Sequence, residues 1–533
     1  MKVFSLSLFL ILTVNFSFAQ SNLDIASNLK KNIEFLASDK LEGRRVGTAG
    51  EEKAYKMIVK NFRKAGLTSP TGIKNYLQPF EVSEGKYLGK KNELIIGNKR
   101  LQLNEDYFPT TFSGTAIING QSSVKLIDIQ NLKKEAQTNP HFDFNNALLQ
   151  QIKKFEQEKN SFIILHNDDD GDFKSFDGKK NSTTASIPVV YIKKNAFKNL
   201  NLVDKQSTII KYEVDVQSKL SIGHNVVGYI NNNKPYTVVI GAHYDHLGYG
   251  EDNNSLYTGK EKMIHNGADD NASGTAALIE LAKSLKTSTS KTYNYLFVAF
   301  SGEELGLFGS KYFVDNNPIA NDKINYMINM DMVGRLNPET KALAIGGFGT
   351  SPSWQEKIKT TDNYFKIKID SSGSGPSDHT SFYRKNIPVL FFFTGTHSDY
   401  HKPSDDAEKL NMEGEVQIIN YIKDLIAHYD SKPKLNFLKT REAQMGRSSF
   451  KVSLGIFPDY TYSGKGVRVD GVTEGRAAEK AGVKVGDVLL RLGDHEFTDV
   501  MSYMSALNKF EKGNATKLIL MRNNQTLTVN IIF

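Results

Sequence analysis

Three features are missing from these 533 residues, and each absence removes a class of mechanism. Cysteine is absent, which excludes disulfide scaffolds, thiolate zinc sites, cysteine nucleophiles and iron–sulfur clusters together. Any metal must therefore be held by His, Asp and Glu. Beyond the N-terminus no stretch reaches about 18 uninterrupted apolar residues, so no membrane-spanning helix is expected. A dense basic block is also missing. The 67 Lys+Arg stand against 59 Asp+Glu, and the net +8 is spread thinly along the chain, which argues against a nucleic-acid binder. What is present is an ordinary globular balance of 39% hydrophobic and 24% charged residues, unlike a disordered chain or a polytopic membrane protein. At typical domain sizes the length argues for about two to four domains.

The N-terminus opens with Lys2, continues in an apolar run from Val3 to Val14, and closes in Ser17-Phe18-Ala19. Small residues then stand at the −3 and −1 positions of a cleavage after Ala19. This is the pattern of a secretory signal peptide over residues 1–19. With no cysteine at the cleavage site a lipid-anchored lipoprotein is excluded, so no stable membrane anchor is expected. An exported protein without disulfides fits a bacterial periplasm or exterior, which makes the expected location periplasmic or extracellular.

Two helical patterns follow, Ile25/Leu29/Ile33/Leu36 and Ala54/Ile58/Phe62/Ala65, the second stopped by Gly66. Between them lies a glycine-punctuated loop, Leu41 to Gly50. From about 105 to 220 the character changes to short β-like runs such as Ser161–Leu165 and Ile187–Ile192 between polar loops, which reads as a separate β-rich unit. From Asn225 to Tyr429 the rhythm is strand, loop, helix. Tyr236–Ile240 leads to His243, Tyr295–Phe300 to Ser301-Gly302-Glu303-Glu304, Tyr326–Met330 to Asp331, and Ile387–Phe393 to Thr394-Gly395. Helical spacing occupies Thr275–Leu285 and Val416/Ile419/Ile422/Ile426. This alternation predicts an α/β domain with a mostly parallel, doubly wound sheet covered on both faces. A polar connector with Pro433 leads to a final module of about 85 residues with its own turns and short strands.

In open α/β sheets ligands bind beyond the carboxyl ends of the strands. Three strands deliver His243, Glu303-Glu304 and Asp331 there, Asp269-Asp270 precedes a helix start, and His401 follows the last apolar strand. Singly, a His after a strand is a turn residue and an Asp before a helix is an N-cap. Together they match the needs of two zinc-like ions roughly 3.5–4 Å apart: a bridging carboxylate, then one further carboxylate and one imidazole each. Asp270 can bridge, with His243 and Asp331 completing one site and Glu304 and His401 the other. Glu303 is left free to take a proton from the shared water, and Asp245 is placed to orient the His243 imidazole. His246, His265, His379 and His397 lie nearby and are read as structural or pocket-lining, since the set is complete without them.

His243-Tyr244-Asp245, Gly267-Ala268-Asp269-Asp270-Asn271-Ala272-Ser273-Gly274, Ser301-Gly302-Glu303-Glu304-Leu305-Gly306, Asn329-Met330-Asp331-Met332-Val333-Gly334, Ser377-Asp378-His379 and Tyr400-His401 stand in the order seen in M28-family dizinc metallopeptidases. The chain resembles that family over about residues 20–104 and 221–430. The resemblance implies a zinc-peptidase-like fold, two Zn2+ ions held by His243, Asp270, Glu304, Asp331 and His401, Glu303 as acid/base, and Tyr400 as an oxyanion donor. It makes Asp270, rather than Asp269, the bridge.

The insert, with Ile187-Pro188-Val189-Val190-Tyr191-Ile192, resembles a protease-associated domain that restricts access to the cleft, the plain alternative being a passive insert. The last segment, with Ser453-Leu454-Gly455-Ile456 and Ala481-Gly482-Val483-Lys484-Val485-Gly486-Asp487, resembles a PDZ domain and implies a C-terminal peptide ligand. The expected organisation is a signal peptide at 1–19, a catalytic domain at 20–104 and 221–430 split by the insert at 105–220, a linker at 431–446, and the PDZ-like β/α domain at 447–533. The expected function is a secreted aminopeptidase acting on peptide or protein substrates. Alternatives are a carboxypeptidase or glutaminyl cyclase on the same fold, or an inactive peptidase-fold interaction protein.

Overall fold

The computed structural model describes residues 22–132, 144–156, 161–168, 175–176, 178, 185–204, 207–252, 254–440, 452–458, 462, 464–473, 475–498, 500–507 and 509–533. The expected signal peptide at 1–19 and the end of the linker at 441–446 lie outside them. The chain forms two compact units, Glu81–Ser221 and the remainder.

The larger unit is organised on an eight-stranded sheet. Strand β1 (Leu77–Leu88) opens it. The strands β2 (Glu93–Ile96), β3 (Lys99–Leu101), β4 (Tyr107–Pro109), β5 (Ala116–Asp128), β6 (Ser161–His166), β7 (Val189–Ile192) and β8 (Ser207–Val214) then build a separate sheet. The chain returns through β9 (Val216–Ile230), β10 (Thr237–His243), β11 (Asn294–Phe300), β12 (Ile324–Met330), β13 (Ala342–Gly346), β14 (Lys366–Ile369) and β15 (Val389–Phe393), giving the order β1-β9-β11-β10-β12-β15-β13-β14. The four central strands, β11-β10-β12-β15, are mutually parallel. Strands β9 and β13 pair antiparallel at their flanks.

The central strands are apolar on both faces, as strands buried between two helical layers must be. Tyr295, Phe297 and Ala299 of β11 and Tyr326, Ile328 and Met330 of β12 point into one core, shared with Ile58 and Phe62, Leu278 and Leu281, and Ile419 and Ile422 from three helices. Leu296, Val298 and Phe300 point into the other, against Phe313 and Phe382. The helices Ala49–Lys64, Gly274–Thr287 and Met412–Asp430 cover the first face and Phe308–Asp315 and His379–Tyr383 the second. The sheet is thus doubly wound, as the sequence rhythm predicts. Trp354, the chain's single tryptophan, packs edge-on against Tyr326 and Tyr429.

The smaller unit is a seven-stranded sheet in the order β3-β2-β8-β5-β6-β7-β4. It starts ahead of the expected residue 105, because β2 pairs with β8 from Glu93↔Glu213 to Ile96↔Ile210. The physical reason is a short hairpin: Gly97, at φ 59°, turns β2 into β3. Strands of four and three residues around so tight a turn leave little periodic signal.

The C-terminal region, considered alone, is a sheet of β16 (Ile456–Pro458), β17 (Val467–Val472), β18 (Val488–Leu492), β19 (His495–Glu496), β20 (Ala515–Arg522) and β21 (Gln525–Ile532). Leu454, Val469, Leu489, Leu518 and Leu520 fill its core. The Gly486-Asp487 turn is held by a bidentate pair, Arg522 Nε and Nη2 each donating to Asp487 at 2.7 Å. Among the described residues no helix is long and apolar enough to cross a membrane.

Candidate metal centre

Because β11, β10, β12 and β15 are neighbours and parallel, their carboxyl ends emerge on one edge of the sheet. His243 closes β10, Ser301–Glu304 follows β11, Asp331 follows β12, and the turn bearing His401 follows β15. Asp270 enters the same rim from the segment before the helix Gly274–Thr287, where the Asp270–Asn271 peptide is cis.

The side chains converge. His243 Nε2 lies 3.3 Å from Asp270 Oδ1 and 3.4 Å from Asp331 Oδ1. His401 Nε2 lies 3.2 Å from Asp270 Oδ2 and 3.2 Å from Glu304 Oε2. Asp270 therefore turns one oxygen to each imidazole. Among the described residues two donor sets are compact enough to hold an ion, His243/Asp270/Asp331 and His246/Asp270/Glu304. His246, read from sequence as structural or pocket-lining, sits with Nδ1 2.8 Å from Glu304 Oε1. Two imidazoles thus flank Glu304. His401 donates its Nδ1–H to Asn254 O at 2.8 Å, which leaves Nε2 to face Asp270 and Glu304. His246 meets the Glu304 oxygen that His401 does not, so it can fix that carboxylate's orientation.

The other expected residues are placed as follows. Glu303 keeps contact with solvent, and its backbone N–H donates to Asp245 Oδ1 at 3.2 Å. Asp245 is buried; its backbone carbonyl is 3.3 Å from His243 Nδ1, closer than its carboxylate at 3.7 Å. The carbonyl two residues on is the nearer partner for the ring. Tyr400 stacks on His401, with ring centroids 3.9 Å apart. Asp269 is occupied elsewhere: its Oδ1 accepts from Gly334 N at 2.7 Å and Ser273 Oγ at 3.1 Å, and its Oδ2 faces His397 Nε2 at 3.2 Å.

Buried charge shapes this rim. Burial opposes a charged His243, yet Asp331 and Glu303 outweigh it and push its pKa well above the usual imidazole value. His401 is raised in the same way against burial, by Glu304 and Asp270. Burial would lift Asp270, but hydrogen bonds from His243 and His401 hold it well below the carboxylate range. Burial acts on Glu304 as well, and His401 brings it down to about 2. Glu303 goes the other way: burial, with Glu304, Asp378 and Asp331 nearby, raises it well above normal despite His243. Tyr400 stays a phenol, raised by burial and then by Asp270, Glu304, Glu303 and Asp331. Three acidic side chains, Asp270, Asp331 and Glu304, around two ring nitrogens form a cation-seeking donor set, and nitrogen with carboxylate oxygen is the chemistry that zinc accepts.

Sequence reasoning missed the residues that hold these donors. Asp405 Oδ2 accepts from Asp269 N at 3.0 Å and Asp270 N at 3.1 Å. Glu51, from the first turn of the helix Ala49–Lys64, accepts from Ser301 Oγ at 2.6 Å, Gly47 N at 2.6 Å, His224 N at 3.0 Å and Tyr244 OH at 3.1 Å.

Residues 225–426 match the family described as peptidase family M28, and residues 446–533 match a PDZ domain. Among curated relatives, aminopeptidase YwaD of Bacillus subtilis (strain 168) is 29% identical over 272 residues, 49% of this chain and 54% of the relative. Leupeptin-inactivating enzyme 1 of Streptomyces exfoliatus is 35% identical over 150 residues, 27% of this chain and 32% of the relative. The chain thus spans between a third and about half the length of the curated relatives it matches. Among solved structures, an aminopeptidase from Aneurinibacillus sp. strain AM-1 is 21% identical with a TM-score of 0.43, covering 78% of this chain and 95% of its own.

Proposed function

We propose that this chain, which carries a peptidase family M28 domain and a PDZ domain, is an exported dizinc aminopeptidase that removes residues from the N-terminus of peptides. The observation that carries the reading is the divided carboxylate of Asp270, one oxygen 3.3 Å from His243 Nε2 and the other 3.2 Å from His401 Nε2. His243, Asp270 and Asp331 would hold one zinc ion, and Asp270, Glu304 and His401 the second. When bound, the zinc pair supplies Lewis acidity to the scissile carbonyl and lowers the pKa of water.

The remaining work falls to the chain's own side chains. Glu303, solvent-touched and next to Glu304, accepts the proton of the attacking water and returns it to the leaving amine nitrogen. Such a base is worth about 10²–10⁴-fold. Asp245 steadies it by accepting the Glu303 amide N–H. The Tyr400 hydroxyl, kept protonated by burial, donates to the carbonyl oxygen as that oxygen gains charge. Acidic groups near the metal centre bind the substrate's free α-amine. The insert is read as a protease-associated domain. The PDZ domain is read as a holder of C-terminal peptides through the backbone of Ser453–Ile456.

The test is a set of peptides and aminoacyl-anilides with free and acetylated α-amines. The reading expects stepwise release of amino acids from the N-terminal end of free-amine substrates alone. Release from the C-terminal end, or activity confined to blocked peptides, overturns it.

A further inference from the structure

The glycine-punctuated loop ahead of the helix Ala49–Lys64 carries no metal donor, yet both of its arginines run into the support of the metal-facing side chains. Arg44 is 0% exposed. Its Nε donates to Tyr244 O at 2.6 Å. Nη1 donates to Leu36 O at 3.2 Å and to Asn266 O, and Nη2 to Gly267 O at 2.7 Å and Asp270 O at 3.3 Å. Apart from Leu36, these carbonyls belong to the residue after His243, to the run leading into Asp270, and to Asp270 itself. A planar guanidinium can reach so many carbonyls at once; a lysine ammonium, a single point with three donors, cannot. The charge is set against Asp270, Asp245, Asp405 and Glu304.

Arg45 takes the other direction. Its Nε and Nη2 meet Asp252 Oδ2 at 2.6 Å and Oδ1 at 3.0 Å, a bidentate pair. Asp252 stands two residues before Asn254, whose carbonyl accepts the His401 Nδ1–H, and Leu256 N donates to His401 O at 2.9 Å. The loop is pressed onto this same segment. A Cβ on Gly43 would sit 2.5 Å from Gly248 O and 2.7 Å from His265 O. Gly43 takes φ 69°, and Arg44 follows at φ 37°, a left-handed conformation that costs a non-glycine residue energy and persists only where surroundings enforce it.

We propose that Gly43–Arg45 is a two-armed positioning element of the metal centre. Arg44 fixes the backbone that aims His243 and Asp270, and Arg45, through Asp252, fixes the carbonyl that aims His401. This rests on the reading that these side chains hold two zinc ions. Neither arginine touches substrate, so both are positioning residues.

Cobalt(II) serves as the probe, titrated against a competing chelator into the parent, R44K and R45Q full-length chains, with visible absorption reporting coordination geometry. Circular dichroism and Trp354 fluorescence report folding. The parent takes up two ions. Folded R44K binds both about 10–100-fold more weakly, the usual cost of losing an outer hydrogen-bond partner, with a changed cobalt spectrum. R45Q weakens one ion only. Parental affinity and spectrum in either variant, equal weakening of both ions in R45Q, or an R44K chain that does not fold overturns the proposal. A parent that binds fewer than two cobalt ions defeats the two-ion reading and, with it, the division into two arms.

Discussion

The rim at the carboxyl ends of β10–β12 and the segment Gly43–Glu51 both bury charge beside the same strand ends, and they satisfy it differently. Glu51 is 1% exposed and its carboxylate accepts from four donors of this chain. Arg44 spends its guanidinium on backbone carbonyls. On the rim, Asp270, Glu304 and Asp331 crowd two imidazole Nε2 atoms, and a third imidazole, His246, meets Glu304 from the other side. A buried charge persists only where its hydrogen-bonding capacity is met or an opposite charge is supplied. Around Glu51 and Arg44 the chain itself supplies the partners, whereas on the rim we propose that a cation does. The lesson extends to a third place, Glu415, whose two carboxylate oxygens are buried without a hydrogen-bond partner among the described residues.

The largest effect belongs to the rim. E303A removes the proposed base and none of the proposed ligands, so turnover should fall by about 10²–10⁴-fold while metal content stays at the parent value. Metal loss in step with activity would move Glu303 into the ligand set and blur the distinction between rim and loop.

On the loop side, E51Q presents an amide N–H toward the Gly47 N–H and should cost about 1–3 kcal/mol of stability, measured by denaturant unfolding. Burial lifts Glu51 from 4.5 to about 7. A raised carboxyl pKa gives stability that is full below the unfolded value and lost as pH rises through the folded one. The parent therefore weakens between pH 4.5 and 7 on this account, glutamine does not, and the E51Q deficit should shrink across that window. A deficit that grows with pH would contradict the assignment.

Glu415 sharpens the comparison from the opposite side. Burial, then Asp269 and Glu280, push its pKa well above normal. E415L should stabilise the chain by about 1–3 kcal/mol by removing an unsatisfied buried group, and more at pH 8 than at pH 5, because the parent's stability falls as pH climbs above the unfolded value. Destabilisation at both pH values would mean that Glu415 has a partner in solution. The smallest effect is at Thr48, whose Oγ1 accepts from Glu51 N at 3.3 Å as the N-cap of the helix Ala49–Lys64. T48A should cost about 1 kcal/mol and leave metal affinity unchanged.

Three of the candidate positions were legible because they end apolar runs: His243, Glu303-Glu304 and Asp331 close or follow strands whose branched and aromatic residues announce them. The parallel order then carries them to one edge. The helices at Thr275–Leu285 and Val416–Ile426 were legible for the same reason, a strong 3.6-residue period. What holds the donors was not legible. Arg44 and Tyr244 are 200 positions apart, and Glu51 and Ser301 are 250 apart. Several of the partners are backbone groups, which carry no residue-type signature. Leu41–Gly50 reads as a loop, whereas the structure puts Asp39–Arg44 in a 3-10 turn, with Glu42 and Gly43 at positive φ, and starts the helix at Ala49; periodicity also says nothing about what such a segment presses against. The contact of His246 with Glu304 was not legible either, because two imidazoles meet one carboxylate and spacing alone does not rank them. The hairpin at Gly97 was missed because strands of three and four residues have too few alternations to register.

Asp270 is proposed to bridge a pair of ions. Anomalous diffraction at the zinc edge, from crystals of the zinc-loaded chain, measures it. The account predicts two peaks about 3.5–4 Å apart, one on each side of the Asp270 carboxylate, the first beside His243 and Asp331 and the second beside Glu304 and His401. A single peak at saturating zinc, or a second one away from Asp270, would contradict it.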